Sequence, residues 1–534
     1  MVSAPAPRRW VLWACLVVVA LLAVAFFGVA CSTSWARIAL LHTVEPYALA
    51  VHQQLLYNFA DSGSFSQTIH TGYDDAWTWS GHRAATLPLV GLIYGLVPSP
   101  FFLTAIVIGA VTLGVIPAAG LGAKALRHPL GMVVGALVYL GCPAVMGLAL
   151  QDYQDLVFAL PFLLVTLWAL RARRPWWVLL GALLGCLPRE ECIPVVVAAA
   201  LISFDPRWER PWRRWARNLG LAGGVALAYG LALALLFPVH ATSHDMPMAA
   251  SLGSWVDPQQ QLRLFGMERL ESFYALAWAP VGLVGLLAPL VLLPGLGLML
   301  MHMTVPWGHG VDRYWSGHVH HLAPMVPFFV AAAILGGARL LRLARHPRLG
   351  RAGVALPWAV AGALLAYGLW WNMVWATGFN LVLSPLPRWP EHWHPAWGLV
   401  GPLPPDAVPI VPLDASLAVS ARARSYTFSE SLQDKAPGLG LGAGTHLLVH
   451  QDNSAVLAWG QAMPGARVVA RADPYLLLTW TSGAVDPMVG WWEDPPTRIQ
   501  SWPYELGGER RLPGVPPPPA EAEPELPILP PPVR

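Results

Sequence analysis

The chain alternates long apolar runs with short polar breaks. Residues 10 to 31 form an uninterrupted apolar stretch of 22 residues behind Arg8 and Arg9. At about 1.5 Å per residue such a helix spans the roughly 30 Å hydrocarbon core of a bilayer. A lipoprotein-type cleavage before Cys31 is disfavoured by Gly28 three places upstream. The run is therefore read as a retained first span with a cytoplasmic N-terminus. Further apolar runs near 101 to 122, 130 to 150, 156 to 170, 218 to 238, 322 to 343 and 353 to 377 predict more spans.

Basic clusters fix the sidedness of these runs. They are Lys124/Arg127, Arg171/Arg173/Arg174, Arg207 to Arg217 and Arg339 to Arg351, and the positive-inside rule places all of them in the cytoplasm with Arg8 and Arg9. Residues 176 to 204 must then cross an even number of times, as a hairpin broken at Pro188-Arg189-Glu190-Glu191. The same holds for 275 to 303, broken around Pro289 and Pro294. Each arm of the first hairpin, 176 to 188 and 192 to 204, is only roughly 20 Å long, so its tip is expected below the outer membrane surface. The count is about 11 transmembrane or re-entrant segments, N-terminus in and C-terminus out. Of the 15 acidic residues before 378, all but Asp205 and Glu209 then fall outside or at the hairpin tip.

After about residue 378 the pattern changes. Pro and Gly are interspersed with charges of both signs and with short apolar stretches such as 445 to 449 and 466 to 470. This predicts a small extracytoplasmic α/β domain over 378–511, after a transmembrane domain over 1–377 with a large outer loop at 32–86. Residues 512–534 are rich in Pro and Glu, the signature of a disordered tail.

Composition agrees and removes other classes. Of 534 residues, 55% are apolar and 12% charged, which excludes a single soluble globule. A net charge of +3 without a basic stripe excludes nucleic-acid binding. Lys124 and Lys435 are the only lysines, read as a signature of a high-GC genome. Cys15, Cys31, Cys142, Cys186 and Cys192 all lie in or beside apolar segments with no metal-binding spacing, so they read as small hydrophobes. The 27 tryptophans fit an aromatic belt at the membrane interfaces.

The candidate chemistry lies in the outer loops. The first contains Asp61-Ser62-Gly63-Ser64-Phe65-Ser66-Gln67, Asp74-Asp75 and Gly81-His82-Arg83. Asp61 with His82 could act as general base and partner, although Asp61 also suits a helix cap. Gln151-Asp152-Tyr153-Gln154-Asp155 sets two carboxylates on one face of a helix start, where they also serve as dipole partners. Arg189, Glu190 and Glu191 carry ionisable groups at membrane depth, which mark functional sites by default. The plainer alternative is an internal ion pair with Arg189 neutralising one glutamate. The loop 304 to 321 holds His309, Asp312, Arg313, His318, His320 and His321, which could bind a phosphate. No HExxH accompanies them, so no metal site is assigned. Phosphate loops, dinucleotide fingerprints and GxSxG elbows are absent, so no nucleotide cofactor is expected.

The order of these pieces resembles the bacterial membrane proteins called domain of unknown function 2079, which look like relatives of the C-fold (GT-C) glycosyltransferases. The resemblance covers roughly residues 45 to 450. It rests on Asp61, Gly63, Phe65 and Gln67; on His82 with Pro88; and on the tip Arg189-Glu190-Glu191. It also rests on His320-His321 with Pro324 and Pro327, and on Pro412-Leu413-Asp414-Ala415-Ser416. Gln151 to Asp155 replaces an expected Phe-His step, and His321 stands where Tyr is expected.

The resemblance implies a membrane glycosyltransferase that takes a sugar from a polyprenyl-phosphate donor and gives it to an envelope acceptor on the outer face of the inner membrane. Asp61, His82, Glu190 and Glu191 would be catalytic, and Arg83, Arg189, Arg313, His320 and His321 would bind phosphate. The sugar, a divalent cation and the oligomeric state are left open. The competing expectation is a non-enzymatic transporter or envelope assembly factor on the same scaffold.

Overall fold

The computed structural model describes residues 9–41, 46–66, 68–69, 84–204, 210–236, 284–303, 322–344, 393–412, 415–422, 425–427 and 444–480. The expected span at 353 to 377, the loop 304 to 321 and the tail 512–534 lie outside the described residues.

Helix α1 (Arg9–Ala39) runs past the apolar stretch that predicts it. The polar turn after Cys31 stays helical because Thr33 donates its hydroxyl back to the Val29 carbonyl (2.9 Å) and Arg37 donates Nη1 to the Leu150 carbonyl (3.0 Å). Helix α2 (Pro46–Ser62) lies within the loop 32–86, and α3 (Leu87–Tyr94) follows it.

Helices α4 (Pro100–Leu113) and α5 (Val115–Leu126) form one span joined at Gly114. A Cβ there would overlap the Tyr139 phenol, which packs against the join and donates its hydroxyl to the Val111 carbonyl. Helices α6 (Leu130–Leu140) and α7 (Pro143–Leu150) bend by 63°. Cys142 precedes Pro143 and takes an extended conformation at the bend, as a proline imposes on the residue before it.

A short 3-10 turn (Asp155–Phe158) leads into α8 (Ala159–Ala172). Next come α9 (Pro175–Cys186), α10 (Cys192–Leu201), α11 (Pro211–Leu236), α12 (Pro289–Met303) and α13 (Val326–Ala344). Among the described residues five helices are long and apolar enough to cross a membrane, or six if the bent pair α6–α7 is one span. With three shorter apolar helices, these are the described part of the 11 segments expected from sequence. Helices α9 and α10 are those short arms, at 12 and 10 residues.

The tightest joint in the bundle is between α5 and α6. A Cβ on Gly122 would overlap the Gly131 carbonyl, one on Gly131 the Gly122 carbonyl, and one on Gly135 the Ala118 carbonyl. Small residues four apart on both helices let the backbones touch, the usual basis of helix association where lipid offers no hydrophobic drive.

Beyond the bundle, α14 (Pro395–Val400) docks on the end of α1. The His394 amide donates to the Ala39 carbonyl (2.9 Å), and Trp397 Nε1 donates to that of Ile38 (3.3 Å). A five-stranded mixed sheet follows, made of β1 (Val408–Val411), β2 (Tyr426–Thr427), β3 (Thr445–His450), β4 (Arg467–Ala472) and β5 (Tyr475–Thr479). Its order is β2-β1-β3-β5-β4, with β1 parallel to β2 and β3, and β5 antiparallel to β3 and β4. The two stretches expected as strands, near 445 and 466, are β3 and β4. Helix α15 (Ser416–Val419) lies against α2, and α16 (Ser454–Ala462) crosses β3.

Candidate functional site

Two buried charges meet at the break between α9 and α10. Arg189, in the break between α9 and α10, donates Nε to Asp155 Oδ1 at 2.7 Å, with the two side chains 5% and 3% exposed. The same Oδ1 accepts the Leu156 amide at 2.8 Å, so the carboxylate both starts the helical turn and holds the guanidinium. Asp155 begins a span of 18 residues, roughly 27 Å, while α9 rises only about 18 Å from Pro175. The long arginine side chain makes up much of the difference. Arg189 thus has a counter-ion in Asp155, from the preceding loop, which the ion-pair reading of the tip did not include. Glu190 and Glu191 remain beside it, half-buried, and add negative potential at the guanidinium.

Two polar groups in this cluster have no hydrogen-bond partner among the described residues. Arg189 directs Nη2 toward Gln154 Oε1 at 3.5 Å, but its Nη1 is buried and unpartnered, as is the Tyr153 hydroxyl. Buried donors are almost always paired, and a guanidinium N–H beside a phenol is a donor set suited to an oxyanion.

Tyr153 also ties the cluster to α2. Its ring lies 4.8 Å from that of His52, one of four buried polar residues on α2 with Gln53, Gln54 and Asn58. Gln54 accepts from the amides of Thr68 (2.7 Å) and Ile69 (3.3 Å), and donates to the Ser425 hydroxyl (3.2 Å) and the Arg422 carbonyl (3.1 Å). Ser420 donates to Gln53 Oε1 at 2.7 Å, and Asn58 donates to the Ser66 carbonyl at 2.9 Å. The buried polar face of α2 thus fastens the first loop and the sheet region to the end of the bundle that carries Arg189. Arg422 completes the joint by donating to the carbonyls of Val400, Leu403 and Pro404.

Asp61 lies in the last turn of α2 with an exposed side chain. The helix-cap alternative is corrected: the residue is at the wrong end of the helix to cap its N-terminus. No described contact joins Asp61 to Arg189. His82, Arg83, Arg313, His320 and His321, with Gln67, Asp74, Asp75, His318 and Asp414, lie outside the described residues. Among the described residues no three His, Cys, Asp or Glu side chains converge as metal ligands.

His52, Gln53 and Gln54 escaped the sequence reading. Their signal was three adjacent polar residues inside the otherwise apolar stretch from Ala48 to Leu56, too many for one lipid-facing turn.

ArnT from Cupriavidus metallidurans, solved in the apo state, is 14% identical to this chain, covering 80% of this chain and 92% of that one with a TM-score of 0.44. That likeness carries no assignment here. No curated protein matches the chain. The family described as "Predicted membrane protein (DUF2079)" matches residues 37–395, from the end of α1 to the start of α14. With well over half its length matched and several membrane-spanning helices, the chain belongs to this family of multi-pass membrane proteins.

Proposed function

We propose that the protein is an integral glycosyltransferase of the bacterial plasma membrane. It moves a sugar from a polyprenyl-phosphate donor to an envelope acceptor on the outer face, with its N-terminus in the cytoplasm. The observation that carries this reading is the unpartnered Nη1 of Arg189, a cationic donor held at the end of a span beside the Tyr153 hydroxyl. A lipid-linked phosphate arrives at that depth.

In the reaction, an acceptor hydroxyl attacks the anomeric carbon, forming the new glycosidic bond as the bond from that carbon to the phosphate oxygen breaks. Asp61 takes the acceptor's proton, oriented by His82. The polyprenyl phosphate departs as an anion, its charge met by Arg189 together with Arg83, Arg313, His320 and His321. Glu190 and Glu191 assist in the acid–base work and hold the sugar.

The second reading, a transporter or assembly factor without transferase activity, draws support from the same ion pair, since Arg189 already has a counter-ion in Asp155. Reconstitution of the purified protein with a polyprenyl-phosphate sugar and envelope acceptors separates the two. Transferase activity predicts release of polyprenyl phosphate, abolished by Asp61→Asn. A transporter predicts movement of substrate without bond cleavage, sensitive to Glu190→Gln and Glu191→Gln and indifferent to Asp61.

A further inference from the structure

Helix α3 is apolar on every side. One face, with Leu87, Val90, Gly91 and Tyr94, is buried. It packs on α2, where a Cβ on Gly91 would overlap the Phe59 ring and one on Gly95 would lie 3.3 Å from Ala60 Cβ. The opposite face and the turn that follows present Leu89, Leu92, Ile93, Leu96 and Val97, of which Leu92 is 67% and Leu96 78% exposed. Leu21 on α1, the first span, is 63% exposed, so α3 offers side chains as open as those of a helix that crosses a bilayer. A helix that is hydrophobic all round is stable when all its sides are covered, and an open apolar patch marks a protein or a membrane contact.

Two observations choose between those partners. The chain carries no charged residue from Ala84 to Ala123, although the span that begins at Pro100 needs only about 20 apolar positions. The surplus falls on α3 and its turn, which lead directly into that span. The open face is also made of Leu, Ile and Val alone, while Tyr94, the one aromatic residue of the helix, is buried on the other side. Trp, Tyr and Arg anchor protein interfaces, whereas Leu and Val are under-represented among such anchors. The patch therefore suits acyl chains better than a partner chain.

We propose that α3 lies in the membrane interface with this face seated in the acyl region of the bilayer, and that it holds the end of α2 against the membrane surface. Interfacial helices bury their apolar face roughly 5–10 Å into the boundary between headgroups and acyl chains. Here α2, packed on the other side, gives the cover that a polar face gives elsewhere. Phe59 and Ala60 make that contact, and Asp61 follows them in the chain. The seating of α3 does not depend on whether the protein transfers sugars.

The test is site-directed spin labelling of the full-length protein in phosphatidylcholine vesicles, with labels at Leu92→Cys, Leu96→Cys, Asp61→Cys and Leu21→Cys. The five native cysteines are buried. Collisions with oxygen, which concentrates among acyl chains, are compared with those of a nickel chelate, which stays in water. The labels at Leu92 and Leu96 should meet oxygen several-fold more often than the chelate, as at Leu21, and the label at Asp61 should show the reverse. Leu89→Cys supplies the same reading if either α3 variant fails to fold. A preference for the chelate on α3 would place the face in water and overturn the proposal. So would labels on α3 that are immobilised and shielded from both reagents, which would mean that protein covers the face.

Discussion

Arg189 Nε lies 2.7 Å from Asp155 Oδ1, across 34 residues of chain and out of reach of water. The pair locks the break between two short helices to the start of a full span. Asp155→Asn or Arg189→Gln leaves a single buried charge and is expected to cost about 3–5 kcal/mol. The double variant should lose far less than the sum. Unfolding in detergent, analysed as a double-mutant cycle, checks this; additive losses would mean the two residues act separately.

The α5–α6 joint should tolerate no side chain. Gly122→Leu and Gly131→Leu both drive a side chain into a facing backbone carbonyl, which cannot move aside as a side-chain tip can. A loss of about 3 kcal/mol or failure to fold is expected, beyond the usual cost of overpacking. Gly220→Leu, on α11 with nothing within 4 Å of the added Cβ, should be near neutral. Thermal midpoints in the same detergent compare the three, and equal effects would contradict close contact of α5 with α6.

Gln54 is the bolt between the first loop and the sheet region. Gln54→Leu leaves the Thr68 and Ile69 amides without their acceptor, at about 1–3 kcal/mol. Hydrogen exchange is expected to rise over 68–69 and 425–427 while α4, α5 and α8 stay protected. No rise at 425–427 would break the link drawn here.

Asp61→Asn tests the proposed chemistry without disturbing the fold. The side chain is exposed, so the melting temperature is expected to stay where it is. Loss of a general base should lower sugar transfer by about 10²–10⁴-fold. An intact rate in the reconstituted assay would remove Asp61 from the reaction.

The sequence was most legible where one element alone decides the pattern. Residues 10 to 31 and 322 to 343 read as spans because a helix is the only local solution for so long an apolar run. The α9–α10 hairpin was legible from the charges at its tip. The partner of Arg189 was not, because pairing with Asp155 depends on how α8 and α9 pack across 34 residues. The glutamates beside Arg189 were nearer in sequence but half-buried in space. In the sheet, β3 and β4 stood out as short apolar stretches. Strand β5, buried at every position, is a short apolar run whose periodicity cannot separate strand from helix. The buried face of α2 was missed for a related reason: His52, Gln53 and Gln54 become meaningful only once Tyr153, Ser420 and Ser425 are brought against them.

We propose that Asp61 and Arg189 face the outer side of the membrane while Arg127 and Arg339 face the cytoplasm. All five native cysteines are buried, so a single introduced thiol reports cleanly. Intact cells treated with a membrane-impermeant maleimide should label Asp61→Cys at once, and Arg127→Cys only after permeabilisation. Labelling of both from the same side would contradict it.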